Sequence, residues 1–195
     1  VASGAEGEEK EFACWNPVLF QAKEGPLLLF YKVGPSPSRW WGVMTSSRDG
    51  GKTWENRHKL GKDDKIGHLL GPVKNKPIQL VDGSILCGSS SEHKGWRVHF
   101  ELTKDLGKTW EVIGPINDGK EFGAIQPSIL TYPDGRMHIM CRSQQNVIAA
   151  SAVDRAGHGI ADQPVLEGRV LQSRRDLQRR VERLFRGPVR DQFDP

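Results

Sequence analysis

The segment SSRDGGKTW, residues 46–54, returns as TKDLGKTW, residues 103–110, with Asp49 and Asp105 standing 56 residues apart. A pattern of this length written twice means that the chain repeats a structural unit, and repeat architectures restrict the fold more than composition does. The ending Gly-Lys-Thr is shared with phosphate-binding loops. Such a loop also needs a glycine five residues before its last one, and Ser46 and Leu102 stand there instead. Nucleotide binding is excluded on this ground.

The motif lies inside a longer repeat. NPVLFQAKEGPLLLFYK from Asn16, KPIQLVDGSILCGSS from Lys76 and QPSILTYPDGRMHIMCR from Gln126 each open with a polar residue and a proline. An apolar run, a glycine-bearing turn and a second apolar run follow. The prolines Pro17, Pro77 and Pro127 lie 60 and 50 residues apart, and the turns are Glu24-Gly25, Asp82-Gly83 and Asp134-Gly135. Asp-Gly between apolar runs signals a hairpin, and proline suits the first residue of a strand. A third strand is predicted near Trp41, Trp96 and Asn146, and a fourth after Trp54 and Trp110. Four antiparallel strands recurring at about 50 residues describe a propeller blade. The fold class expected is all-β, a partial β-propeller of about three four-stranded blades.

In this frame the repeated motif is a turn between third and fourth strands. Asp49 and Asp105 accept backbone hydrogen bonds, Gly51 and Gly107 supply positive φ, Ser47 and Thr103 close the turn, and Trp54 and Trp110 bury their rings. One carboxylate per turn is too few for a calcium cage. Neither metal nor cofactor is expected.

Ser/Thr-x-Asp-x-Gly-x-Thr-Trp is the Asp-box, and both copies resemble the signature of the sialidase (neuraminidase) superfamily. WNPVLF, LLGPVKNKPIQL, DGSILCGSS and IQPSIL further resemble BNR-repeat, sialidase-like proteins over residues 13–152. The resemblance implies a six-bladed propeller with its site near the axis on one face. It implies hydrolysis of a terminal, anionic sugar such as sialic acid, which makes a glycan the expected partner. In sialidases three arginines hold the sugar carboxylate, a tyrosine with a glutamate partner is the nucleophile, and an aspartate is the acid/base. That nucleophile is an exception among glycosidases.

Blade geometry then selects the candidates. Loops before first strands and between second and third strands open on one face, and the aspartate turns on the other. The first group is Trp15, Asn16, Lys74, Asn75, Lys76 and Gln126, and the second is Lys32, Glu92, His93 and Arg142. This set is cationic and rich in donors, which suits an anionic sugar. Arg142 is the candidate for bidentate carboxylate binding. Substrate contact is also assigned to Asn16, Lys32, Lys74, Asn75, Lys76 and Gln126. Trp15 is expected in the core, with Glu92 and His93 as ordinary loop residues. The only tyrosines, Tyr31 and Tyr132, fall inside a strand and on the wrong face. No nucleophile and no acid are assigned. A non-catalytic propeller that binds a glycan or protein is the competing reading, and an inactive fragment is the third.

The rest of the composition sets boundaries. A net charge of +4 with interspersed signs leaves no nucleic-acid footprint, and no apolar run reaches the ~20 residues of a membrane helix. Cys14, Cys87 and Cys141 show no metal or disulfide spacing, so Cys87 and Cys141 are read as buried thiols. Residues 1–12 read as a flexible lead, starting at Val1 with no signal-peptide pattern, which points to a trimmed or missing start. Residues 153–195 hold nine arginines and neither lysine nor tryptophan, whereas all 13 lysines precede residue 121. This tail reads as an arginine-rich helix or disordered segment, either shifted in frame or fused near Ala152 or, as the alternative, a native C-terminal helix. Three blades leave edges open, which predicts self-association unless other segments complete the ring.

Overall fold

The computed structural model describes residues 2–5, 11–133, 137–144 and 148–153, the last by backbone alone. The Asp134-Gly135 turn and the arginine-rich tail lie outside the described residues. The described strands form three successive antiparallel blades. The first contains β1 (Cys14–Gln21), β2 (Leu27–Val33), β3 (Trp41–Ser47) and β4 (Glu55–Lys59), paired in chain order. A small hairpin follows, β5 (Lys62–Asp63) and β6 (Gly67–His68), which the sequence reading did not anticipate. The second blade is β7 (Ile78–Gln79), β8 (Ile85–Ser91), β9 (Arg97–Thr103) and β10 (Glu111–Ile113), and the third is β11 (Ala124–Thr131), β12 (Met137–Ser143) and β13 (Ile148–Val153). The chain is an all-β partial propeller, and no helix occurs among the described residues.

Period-2 alternation sends one set of side chains toward each neighbouring blade. Val18, Leu28, Phe30 and Met44 of the first blade pack with Ile85 and Cys87 of the second. Leu86, Val98 and Phe100 of the second pack with Ala124, Met137, Ile139 and Cys141 of the third. Cys87 and Cys141 are buried free thiols and Cys14 is exposed.

The two aspartate turns are superposable in their bonding. Asp49 accepts from the backbone N–H groups of Lys52 (3.0 Å) and Thr53 (2.9 Å) and from the hydroxyls of Thr53 (2.6 Å) and Ser47 (2.8 Å). Asp105 accepts from the N–H groups of Lys108 (3.0 Å) and Thr109 (2.8 Å) and from the hydroxyls of Thr109 (2.7 Å) and Thr103 (2.9 Å). The Ser47 and Thr103 hydroxyls each accept the N–H of Gly51 or Gly107 at 2.8 Å. Trp54 and Trp110 donate Nε1–H to the Gly51 and Gly107 carbonyls at 3.0 Å. The Thr53 hydroxyl and N–H hold Asp49 down to about pKa 2. Burial pushes Asp105 up, but the Thr109 and Thr103 hydrogen bonds outweigh it and leave it also at about 2. Both carboxylates are saturated by their own turns, which leaves them little capacity for a ligand.

Residues 3–5 and 12 of the lead segment make contacts with each other and with the first blade. Phe12 N–H donates to the Gly4 carbonyl at 2.9 Å, and the Phe12 ring meets Trp41 edge-on at 5.3 Å. Arg57 spans the Tyr31 hydroxyl and the Ser3 carbonyl, both at 2.9 Å. One guanidinium thus ties Ser3 and Ala5 to the first blade, a contact across more than 50 positions that local composition does not encode.

Candidate functional site

The open end of the blades is built by one backbone device used twice. Asn16 and Gln126 have φ of 44° and 58° and sit where β1 and β11 lose register, before Pro17 and Pro127. Positive φ in a residue that is not glycine is strained, and the bulge frees each residue from the ladder. In the second blade Lys74, at φ 71°, turns the chain ahead of Asn75. Asn75 Nδ2 donates to the Gln126 carbonyl at 2.8 Å, and Gln126 N–H donates to Ser90 Oγ at 3.2 Å. Asn75 and Gln126 are therefore brought together across the second and third blades. Lys74 and Lys76 flank them, exposed, and Asn16 is half-buried. Trp15 is a packing residue: its Nε1–H donates to the Gly34 carbonyl (2.9 Å) and its ring meets Trp40 at 6.1 Å.

Arg142, exposed at the end of β12, holds its guanidinium carbon 5.1 Å from the centre of the Trp96 ring. Glu92 lies within the field of Arg142. Burial raises the Glu92 carboxyl above the usual range, against the attraction of Arg142 and a hydrogen bond from Trp96. An acid, a cation and an aromatic face thus gather where the β8–β9 loop meets β12. Trp96 was not singled out by the sequence reading as a contact. Its signal was positional, since it precedes a third strand as Trp40 precedes β3.

Lys32 is corrected. It was expected at the substrate face, and the structure buries it completely. Its Nζ donates to the Pro72 carbonyl at 2.7 Å, and burial lowers its pKa to about 8 despite the pull of nearby Glu101. Glu101, also fully buried, accepts from the N–H groups of Leu70 (2.9 Å) and Gly71 (2.7 Å), from Ser89 Oγ (3.0 Å) and from His99 Nε2 (3.0 Å). This seam pins Leu70–Pro72 just upstream of the Lys74–Lys76 loop. Glu101 was missed, although an acid inside the apolar run VHFEL is a visible anomaly.

Neither tyrosine reaches this end. Tyr31 is buried with its hydroxyl on Arg57, and Tyr132 follows β11 at the other end, its hydroxyl 3.4 Å from His138 Nδ1. Among the described residues no group of three or more His, Cys, Asp or Glu is placed to hold a metal ion.

The family profile described as BNR repeat-like domain matches residues 1–159. No curated protein matches the chain. Among solved structures, a protein of unknown function from Dyadobacter fermentans superposes with a TM-score of 0.65 at 16% identity, covering 78% of this chain and 50% of that one. A Hadza microbial sialidase gives 0.61 at 16% identity, over 74% of this chain and 32% of that one. The α-L-arabinofuranosidase of Fusarium graminearum, in complex with an iminosugar inhibitor, gives 0.53 at 21% identity, over 72% and 45%. These likenesses establish the fold, and the chain spans from about a third to half of the length of these structures.

Proposed function

The chain belongs to the BNR repeat-like domain family, and from that premise we propose that it is part of a glycoside hydrolase-like propeller that takes the terminal, anionic sugar of a glycan at the open end of its blades. The observation that carries this reading is the Arg142–Trp96–Glu92 group. A guanidinium over an indole presents a flat, oriented fork to a carboxylate, and the indole offers an apolar face to a sugar ring. Asn75, Gln126, Lys74 and Lys76 supply further polar groups from the neighbouring blade entries, and Asn16 from the first. The solved relatives include a sialidase and an arabinofuranosidase, which supports carbohydrate as the substrate class and sialic acid as one member of it.

A non-catalytic glycan-binding propeller is the second reading. It is favoured by the positions of Tyr31 and Tyr132, which leave the open end without a tyrosine among the described residues. Turnover of fluorogenic sialosides and arabinofuranosides separates the two. Product release that vanishes in Arg142→Ala supports the hydrolase. Glycan binding without release, also weakened by Arg142→Ala, supports the module. Absence of both, in folded protein, refutes the carbohydrate reading.

A further inference from the structure

Among the described residues, the buried side-chain polar atoms without a hydrogen-bond partner are Trp40 Nε1, Trp41 Nε1, Ser91 Oγ, Arg97 Nε and Nη2, and His99 Nδ1. Each such group costs free energy and asks for an explanation. Two of them, Trp40 beside the start of β3 and Ser91 at the end of β8, meet at the open end of the first two blades. The aspartate turns, the Asp82 turn and the Lys32–Glu101 seam carry hydrogen-bonded carboxylates by contrast.

A cavity of about 310 Å³ opens at this place, a size at the lower end of small-ligand pockets. Its lining includes Arg39 and Trp40 from the β2–β3 loop, His68 from β6, and Ser91, Glu92 and His93 from the second blade. Burial and neighbouring cations hold His68 and His93 below the ordinary imidazole range. Both are therefore neutral near pH 7, and each offers one donor and one acceptor. Arg39 adds donors and Glu92 an acceptor. Interleaved donors and acceptors suit the hydroxyl groups of a sugar better than a single anion or an apolar ligand. Glu92 belongs both to this cavity and to the surroundings of Arg142, so the cavity and the Arg142 site share one residue.

We infer that this cavity is a second sugar subsite, holding the residue next to the acidic terminal sugar, and that the unpartnered Trp40 Nε1 and Ser91 Oγ in its wall are kept for the hydroxyls of that residue. The inference rests on the carbohydrate reading of the Arg142 site and adds that the ligand is an oligosaccharide, recognised beyond its terminal unit. Trp40 Nε1 and Ser91 Oγ are shielded in the unliganded chain, so filling the cavity shifts its lining and changes the Trp40 environment.

Calorimetric titration of the full chain with sialic acid and with sialyllactose tests it. One or two added net hydrogen bonds predict about tenfold tighter binding of sialyllactose. Arg39→Ala and His93→Ala, both at exposed positions, should bring the affinity for sialyllactose down toward that for sialic acid. Arg142→Ala should weaken both. Equal affinity for the two probes, or a preference for sialyllactose that survives Arg39→Ala and His93→Ala, overturns the subsite and leaves the terminal-sugar reading standing. Failure of both probes to bind overturns the two readings together.

Discussion

Lys32→Met probes the seam between the first two blades through its pH dependence. The wild-type ammonium is wholly buried, has the Pro72 carbonyl as its acceptor, and titrates at about 8 because burial outweighs the attraction of Glu101. The unfolded chain returns this lysine to its ordinary value near 10.5. Between the two values the unfolded chain holds the extra proton, so stability rises with pH across that window and is lost again as pH falls through about 8. A difference of roughly 2.5 units at about 1.4 kcal/mol each gives about 3 kcal/mol. Urea unfolding followed by tryptophan emission, run on both proteins from about pH 7 to about pH 10.5, measures it. Subtracting the Lys32→Met stability removes every other titrating group in common. The wild-type minus variant difference should climb by about 3 kcal/mol over this range, most of it above pH 8. A difference that stays flat, or declines with pH, would show that Glu101 favours the charged lysine more than burial opposes it, and would refute the reasoning.

Glu101→Ala removes the acceptor for two backbone N–H groups, Ser89 and His99 and leaves Lys32 without its counter-charge; urea unfolding at neutral pH should show a loss of about 3–5 kcal/mol, and a loss under about 1 kcal/mol would contradict the seam. Gly107→Ala should destabilise more than Gly50→Ala. Both glycines have positive φ, 93° and 73°, which costs about 1–2 kcal/mol for an L-residue, but only at Gly107 would the new Cβ fall 2.6 Å from Met44 Sδ; equal losses in thermal melts would deny that contact. A thiol reagent should label one cysteine of the native chain, Cys14, and all three after denaturation, since Cys87 and Cys141 are buried and burial pushes Cys141 to about 12. Native labelling of Cys87 would mean that the interface between the first two blades opens.

What the sequence disclosed follows from how far apart the interacting residues are. Every hydrogen bond described for the Asp49 turn lies within residues 47–54, so the motif alone fixes it, and its second copy at 103–110 is fixed in the same way. The strands followed from alternation and from the glycine turns. The β5–β6 hairpin was missed because KDDKIGH has neither alternation nor length. The Glu101 cluster was illegible for a different reason: its partners at Leu70 and Gly71 lie about thirty positions away, and nothing local says that an acid in a strand will meet two free N–H groups from another loop.

Lys32, Ser90 and Arg142 make the same point within one repeat position. Each is the sixth residue of a seven-residue second strand, and pattern alone gave Lys32 and Arg142 the same role. Lys32 and Arg142 even pair with equivalent residues, Trp15 and Ile125, just before the bulges. Their fates diverge because each meets a different neighbour. Lys32 faces the second blade, where Glu101 and the Pro72 carbonyl capture it. Ser90 uses its hydroxyl to hold the Gln126 backbone and so fixes the position of the bulge in the next blade. Arg142 meets Trp96 and the field of Glu92, stays exposed, and keeps its donors available to a ligand. A propeller repeats its strands, but function enters where blades differ in what they present to each other. The residue most open to bind is therefore the one whose repeat equivalents are already committed to holding blades together.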